Sequence, residues 1–403
     1  MQDSPPQIDP TAPSANAAAD APAPPAANAI AIPSAEAHPF RFTGTTGEFF
    51  GIWIVNLFLT IITVGIYSPW AKVRKKRYFY GHTWVADANF EYHGNPVAIL
   101  KGRLIALAVF AVYSGFAHFM PQVAVFLAIL LFASAPWFIA RSMAFNAFNS
   151  SYRNIRFRFH ATYLDVFKAI GPMGIVLVIS FFIPAIDPNQ KTEPPVIFFV
   201  VFALQMLAFF LVYPYVVGAL KRLHVNHSQF GSSSFNTAAT IGDFYKIFFL
   251  TIGVLIVLLV GAALLGGIAG ALIAMINKTA AAFAFVIGIM LVYFIVFPLM
   301  IGFSQARTAN LVFNKTRLDT SISFSSTLKA RKLALLYLTN LLAIVFSMGL
   351  AIPWAVIRAA RYRLECLTLH SSVPMEQFVS GVAANVSATG EELGEFFNID
   401  LSL

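Results

Sequence analysis

Long apolar runs alternate along the chain with polar stretches in which hydrophobic residues fall at every second position. Val196–Val217, Phe248–Ile273 and Ala280–Phe303 are each long enough for a helix to cross a bilayer core, which takes about 20 residues. Between such runs stand "FEYHGN" (90–95), "RFRFHAT" (156–162), "SFNTAAT" (234–240) and "SISFSST" (321–327). Period-two alternation bounded by Gly, Asn, Ser and Thr predicts short β-strands. The turns "GHT" (81–83), "NSS" (149–151), "NHS" (226–228) and "NKT" (314–316) precede them, so each polar stretch reads as a β-hairpin. Each hairpin then feeds a helical hairpin.

The same unit is written several times. Prolines close apolar runs at Pro69, Pro136, Pro214, Pro298 and Pro353, and Arg74, Arg141 and Arg358 follow the first, second and fifth by five residues. An aromatic residue and then a cation at a helix end is a membrane-interface pattern. Glu48, Asp165 and Asp243 stand just after the hairpins, where an acid suits a helix N-terminus. "VNLFLTIITVGIYSPWAKVRKKRY" (55–78) and "TNLLAIVFSMGLAIPWAVIRAARY" (339–362) match nearly throughout, placing Asn56 opposite Asn340 and Gly65 opposite Gly349. "PFRFTGTTGEFF" (39–50) matches a second strand with no first strand before it, and "RYRLECLTLH" (361–370) a first strand with no second. We read an α-helical polytopic membrane protein with short cytoplasmic β-hairpins, built as about five internal repeats of β-hairpin plus helical hairpin. The end strands either pair and close the set or leave it open.

Composition supports the membrane assignment. Hydrophobic residues make up 58% of the chain, charged residues only 11%, and mean hydropathy is +0.73, against about one-quarter charged in soluble domains. The single cysteine, Cys366, excludes an internal disulfide framework. Residues 1–37 form an Ala/Pro-rich tail expected to be disordered, 38–370 a repeat-built transmembrane body, and 371–403 an acidic C-terminal tail. All 27 Lys and Arg lie in the body against nine acids, a balance of +18.

Charge also orients the chain. If the hairpins share one side, that side holds every base except Lys191 and Lys278, and the positive-inside rule makes it cytoplasmic. Glu48–Val64 is barely one span. Were it and its counterpart single crossings, both termini would be outside and Arg358, Arg361 and Arg363 exported. Re-entrant or tightly hairpinned helices keep both termini in the cytoplasm and are preferred; a continuous helix bent at glycine is the competing reading.

"KKRYFYGHTW", "FEYHGNPVAILKGRL", "SYRNIRFRFH" and "NVSATGEELGEFFNIDL" make the chain similar, over about 38–403, to the YjgN-type family of bacterial inner-membrane proteins, a domain of unknown function. The resemblance implies a multi-pass protein of a bacterial, Gram-negative inner membrane. It brings no reaction, substrate or catalytic residue with it.

Candidate chemistry is sparse. Asn56 and Asn340 either line a solute path or hydrogen-bond between packed helices. Lys72, Arg74, Lys75, Lys76, Arg77, Arg358 and Arg361 either contact anionic lipid headgroups or simply fix topology. The hairpin histidines His82, His93, His160, His224 and His227 lack metal-ligand spacing and any acid at fixed distance, and read as solvated strand residues. Gly266, Gly267 and Gly270 suggest close helix packing. Interleaved bases and aromatics are explained by membrane belts, so no nucleic acid is expected as a partner. No phosphate-binding loop, nucleophile elbow or zinc-protease helix occurs, so no catalytic, cofactor or metal residue is assigned. Two functions follow: movement of a small solute, or a non-transport scaffold that binds anionic lipid.

Overall fold

The computed structural model describes residues 36–180 and 196–385. Most of the Ala/Pro-rich tail, the loop at 184–195 with Lys191, and the four acids beyond residue 385 lie outside them. Two strands and two helices alternate. β1 (Glu36–Pro39) and β2 (Arg41–Phe42) lead into α1 (Thr46–Ile62) and α2 (Ser68–Gly81). β3 (Thr83–Val85) and β4 (Ala88–Tyr92) precede α3 (Pro96–Phe119) and α4 (Pro121–Phe148). β5 (Ser150–Tyr152) and β6 (Ile155–Phe159) precede α5 (Tyr163–Ser180) and α6 (Val196–Asn226). β7 (Ser228–Phe230) and β8 (Ser233–Thr237) precede α7 (Ile241–Ile276) and α8 (Lys278–Asn314). β9 (Thr316–Leu318), β10 (Ile322–Ser326), α9 (Ala330–Phe346), α10 (Ile352–Glu365) and β11 (Leu367–Ser371) complete the order.

The hairpins do not form separate small sheets. All eleven strands join in one antiparallel sheet that runs from β1 through β11 and back down to β2. β1 and β2 are two halves of one bent segment about Phe40, whose N–H donates to the Leu367 carbonyl at 3.0 Å. The sheet therefore nearly closes into a barrel, and the end strands pair: Ala37 lies opposite His370 and His38 opposite Leu369. Closure removes the exposed edges that an open sheet would present. At each corner a backbone N–H donates to the carbonyl of the residue that follows the second helix of the next helical pair. These bonds are Thr43 to His82, His93 to Asn149, His160 to His227, Ala238 to Lys315 and Thr327 to Cys366, all 2.8–3.0 Å.

The first strands begin within the turn triplets themselves, at Thr83, Ser150, Ser228 and Thr316. Tyr78–Gly81, Phe145–Phe148, Leu223–Asn226, Leu311–Asn314 and Arg361–Glu365 are helical, so the helices run to within one or two residues of the sheet. Pro136, Pro214 and Pro298 sit inside α4, α6 and α8 rather than closing them. By contrast Pro69 and Pro353 stand at the first turns of α2 and α10, where a missing N–H costs nothing. The chain turns between α1 and α2 at Gly65 (φ +88°) and between α9 and α10 at Gly349 (φ +93°). This left-handed backbone suits glycine at both places.

Among the described residues five helices, α3, α4, α6, α7 and α8, are long and apolar enough to cross a membrane. Their outer faces carry exposed Leu265, Met275, Ile276 and Phe283, the surface expected of a polytopic membrane protein in contact with lipid. α7 and α8, at 36 and 37 residues, exceed a bilayer core of about 30 Å by several turns and carry the sheet beyond it. Gly302 on α8 lets α9 approach so closely that a Cβ there would fall 2.5 Å from the Ala334 Cα. A Cβ added at Gly266, Gly267 or Gly270 would meet no atom within 4 Å, so the close packing expected of them is not made among the described residues.

Candidate functional site

Helix starts around the barrel share one design. Two residues after each corner donor stands the N-terminal capping position, and five residues after it the third helical residue. In three units these are Thr45 with Glu48, Thr162 with Asp165 and Thr240 with Asp243. The Asp243 N–H donates to Thr240 Oγ1 while Asp243 Oδ2 accepts from the Thr240 N–H, a complete capping box. Each acid also faces a basic side chain at the corner acceptor: Glu48 to His82 at 3.7 Å, Asp165 to His227 at 3.5 Å, Asp243 to Lys315 at 2.8 Å. His93 likewise lies 3.3 Å from Glu91. Three of the hairpin histidines thus have acidic neighbours in space, at no constant distance along the sequence. Among the described residues no group of His, Cys, Asp and Glu is placed to hold a metal ion.

The fifth unit inverts this charge. Lys329 occupies the capping position of α9 and Lys332 the place of the acid, with Arg331 between them and no side-chain cap. Lys332 Nζ instead rests 4.5 Å from the centre of the Tyr362 ring. A cation–π contact of this kind keeps the ammonium available on its outer side. Tyr362 Oη accepts from the Lys329 N–H at 3.1 Å, fixing α10 beneath the start of α9.

The result is a groove of about 680 Å³ lined by Lys329, Arg331, Lys332, Arg358 and Arg361, with a single acid, Glu365. Leu335, Leu336, Ile357 and Trp354 give it an apolar wall. Thr46 of α1 borders it, so the groove lies where the first and last helical hairpins meet. Arg358 stacks 5.0 Å from the Trp354 ring and donates to Thr339 Oγ1 at 2.7 Å and to Asn340 Oδ1 at 3.2 Å. Arg361 donates to the Gly44 carbonyl at 3.0 Å.

The two sequence-matched asparagines differ in use. Both are buried. Asn340 donates to the Ala355 carbonyl at 3.0 Å and accepts from Arg358, tying α9 to α10. Asn56 Oδ1 is buried with no hydrogen-bond partner among the described residues. Of the basic run on α2, Lys72, Arg74, Lys75 and Arg77 are exposed. Lys76 turns inward to Asn146 Oδ1 and over the Tyr92 ring at 4.6 Å. The structure gathers Arg358 and Arg361 in one groove and leaves the α2 cations on a separate helix. Lys329, Arg331 and Lys332 were legible as the basic cluster "KARK" (329–332), but not as occupants of positions that are acidic elsewhere.

Comparison with known proteins finds a family that covers most of the chain. The family model described as "Bacterial protein of unknown function (DUF898)" matches residues 37–396. The chain belongs to that family. It is similar to inner membrane protein YjgN of Escherichia coli strain K12, 34% identical over 168 residues. It is also similar to the YjgN protein of Salmonella typhimurium strain LT2, 28% identical over 157 residues. These matches take in 38% and 39% of this chain and 40% of each relative, so well under half of each relative is spanned. No solved structure matches.

Proposed function

We propose that this is a multi-pass inner-membrane protein that binds anionic lipid headgroups in the basic groove of α9 and α10, rather than a carrier of small polar solutes. The observation that carries the reading is the charge inversion at α9, where Lys329 and Lys332 replace the threonine and acid of three other units. An uncapped helix N-terminus surrounded by five cations attracts a phosphate. The Trp354 ring and Leu335 offer the apolar boundary that a lipid, unlike a free phosphate, also uses. The solute-path reading draws less support, because Asn340 spends its side chain on Ala355 and Arg358.

The surrounding scaffold is read as five copies of one unit with its sheet in the cytoplasm. Recurrence of the corner bond and of the alternating element order supports the repeat. α1 and α9, at 17 residues or about 25 Å, are short for a full crossing of about 30 Å, which supports re-entrant hairpins with both termini inside.

Native mass spectrometry of the full chain, released from detergent with equal phosphatidylglycerol and phosphatidylcholine, tests the lipid reading. The wild type is expected to retain phosphatidylglycerol selectively, and K329Q/R331Q/K332Q to lose that preference. Equal retention of both lipids by the wild type defeats it. An active alkaline-phosphatase fusion at residue 403 defeats the topology.

A further inference from the structure

A second cavity lies away from the groove, inside the barrel. Phe40, Phe90, Phe157, Phe235 and Phe324 each stand three residues before a corner donor, one per unit. Successive rings from Phe40 to Phe324 stack face to face with centroids 6.3–6.4 Å apart. The first strands add an inner layer of Val85, Tyr152, Phe230, Leu318 and Leu369, all buried. Closed barrels of this size fill their interior with side chains or hold one small ligand. Here the filling is incomplete. Four of the five phenylalanines remain partly exposed although they face inward on a nearly closed sheet. The space they border is about 770 Å³, within the roughly 300–1,000 Å³ range of small-molecule pockets.

Its two ends differ. At the hairpin-tip end, residues 375–385 form a helix whose Met375 and Phe378 close the cavity, Phe378 stacking on Phe230 at 6.5 Å. Arg153, in a hairpin turn, pins that helix through Glu376 at 3.4 Å. Toward the helices the cavity opens between α6 and α8, past Tyr213 and Ser304. Lys221, His224 and Arg363 stand on this side, all exposed, and among the described residues no Asp or Glu lines the space. Apolar walls with cations at one mouth and no counter-ion among the lining residues complement a long apolar body bearing one anionic head.

We propose that the barrel is a binding site for a single-chain amphiphilic anion of the long-chain carboxylate class. The chain lies among the phenylalanines and the carboxylate meets Lys221 and Arg363. A neutral alkyl chain would gain the same burial but leave the mouth cations unpaired. The carboxylate gives each of them a charge-assisted partner.

The test uses the full chain in phosphatidylcholine nanodiscs and a diazirine-bearing hexadecanoic acid, with photolabelled residues mapped by mass spectrometry. Labelling is expected on β4, β6, β8 or residues 375–385. Ala309, which lines the cavity, is replaced in A309F to occupy the space, and labelling of those segments is expected to disappear. K221Q/R363Q, with both side chains exposed, is expected to fold as wild type and lower labelling about tenfold, the loss of one or two charge-assisted bonds. A diazirine hexadecanol is expected to label the wild type as weakly as the acid labels K221Q/R363Q. Labelling confined to the outer faces of α7 and α8 would overturn the proposal. So would barrel labelling that K221Q/R363Q leaves unchanged, whether or not A309F folds.

Discussion

Arg361 donates to the carbonyl of Gly44 at 3.0 Å across 317 residues of sequence. The same two stretches of chain also meet in the strand pairing in which Ala37 faces His370. Opposed residues of antiparallel strands lie about 4.5–5.5 Å apart at Cα, within disulfide reach. A37C/H370C is therefore expected to crosslink nearly completely under mild oxidation. A37C/S323C, two strands apart through His370, is expected not to crosslink. An uncrosslinked A37C/H370C protein would mean that the barrel is open.

The matched asparagines should respond oppositely to substitution. N340A removes the bond to Ala355 and the acceptor of Arg358, at an expected cost of about 1–3 kcal/mol. N56L removes a buried oxygen that has no partner and is expected to hold or raise the unfolding midpoint. Thermal unfolding of both variants checks this, and equal losses would show the two sites to be equivalent.

Glycines at helix interfaces should separate in the same way. G302A places a methyl against the Ala334 backbone and is expected to cost about 1–3 kcal/mol through overpacking. G266A meets open space and is expected to leave the midpoint unchanged or slightly higher, alanine being the better helix former.

Docking of residues 375–385 should weaken in acid. The Glu376 carboxylate is held below its ordinary value of 4.5, first by its own backbone N–H at the helix start and then by Arg153. A depressed pKa stabilises fully above the ordinary value and stops doing so as pH falls through the lowered one. Hydrogen exchange of this segment, corrected for its intrinsic pH dependence, is expected to be steady from pH 8 to 5 and to accelerate below 4.5. E376Q should raise exchange at neutral pH and flatten the profile.

Much of the architecture was readable from local chemistry. Period-two stretches located the second strands. Gly65 and Gly349 marked the tight turns, and Pro69 and Pro353 the helix starts after them. Glu48, Asp165 and Asp243 marked three capped N-termini. Joining of hairpins into one sheet was less visible, because pairing between β4 and β5 or β8 and β9 depends on residues brought together across two long helices. The hairpin turns also carry unhelpful residues: Ala86–Asp87 and Arg153–Asn154 adopt positive φ at both positions without an Asn-Gly or Asp-Gly signal. The phenylalanine ring had a signal, one Phe at a constant place in every alternating stretch, but alternation alone does not tell a barrel's inside from a sheet's outer face. The basic groove depends on Lys332 standing where an acid stands elsewhere, which emerges only once the corners are superposed.

The bent segment about Phe40 sets an order on biosynthesis. β1 and β2 are made early, yet the partner of β1 lies at 367–371, so its edge waits unpaired while the helices between them, α1 to α10, are translated. Contacts of such separation form slowly. Until β11 emerges, the nascent protein carries an open strand edge and an uncovered row of phenylalanines, both aggregation-prone. Closure of the sheet is thus a single late event, and truncation anywhere before residue 367 should leave a chain whose helices are made but whose sheet is never completed.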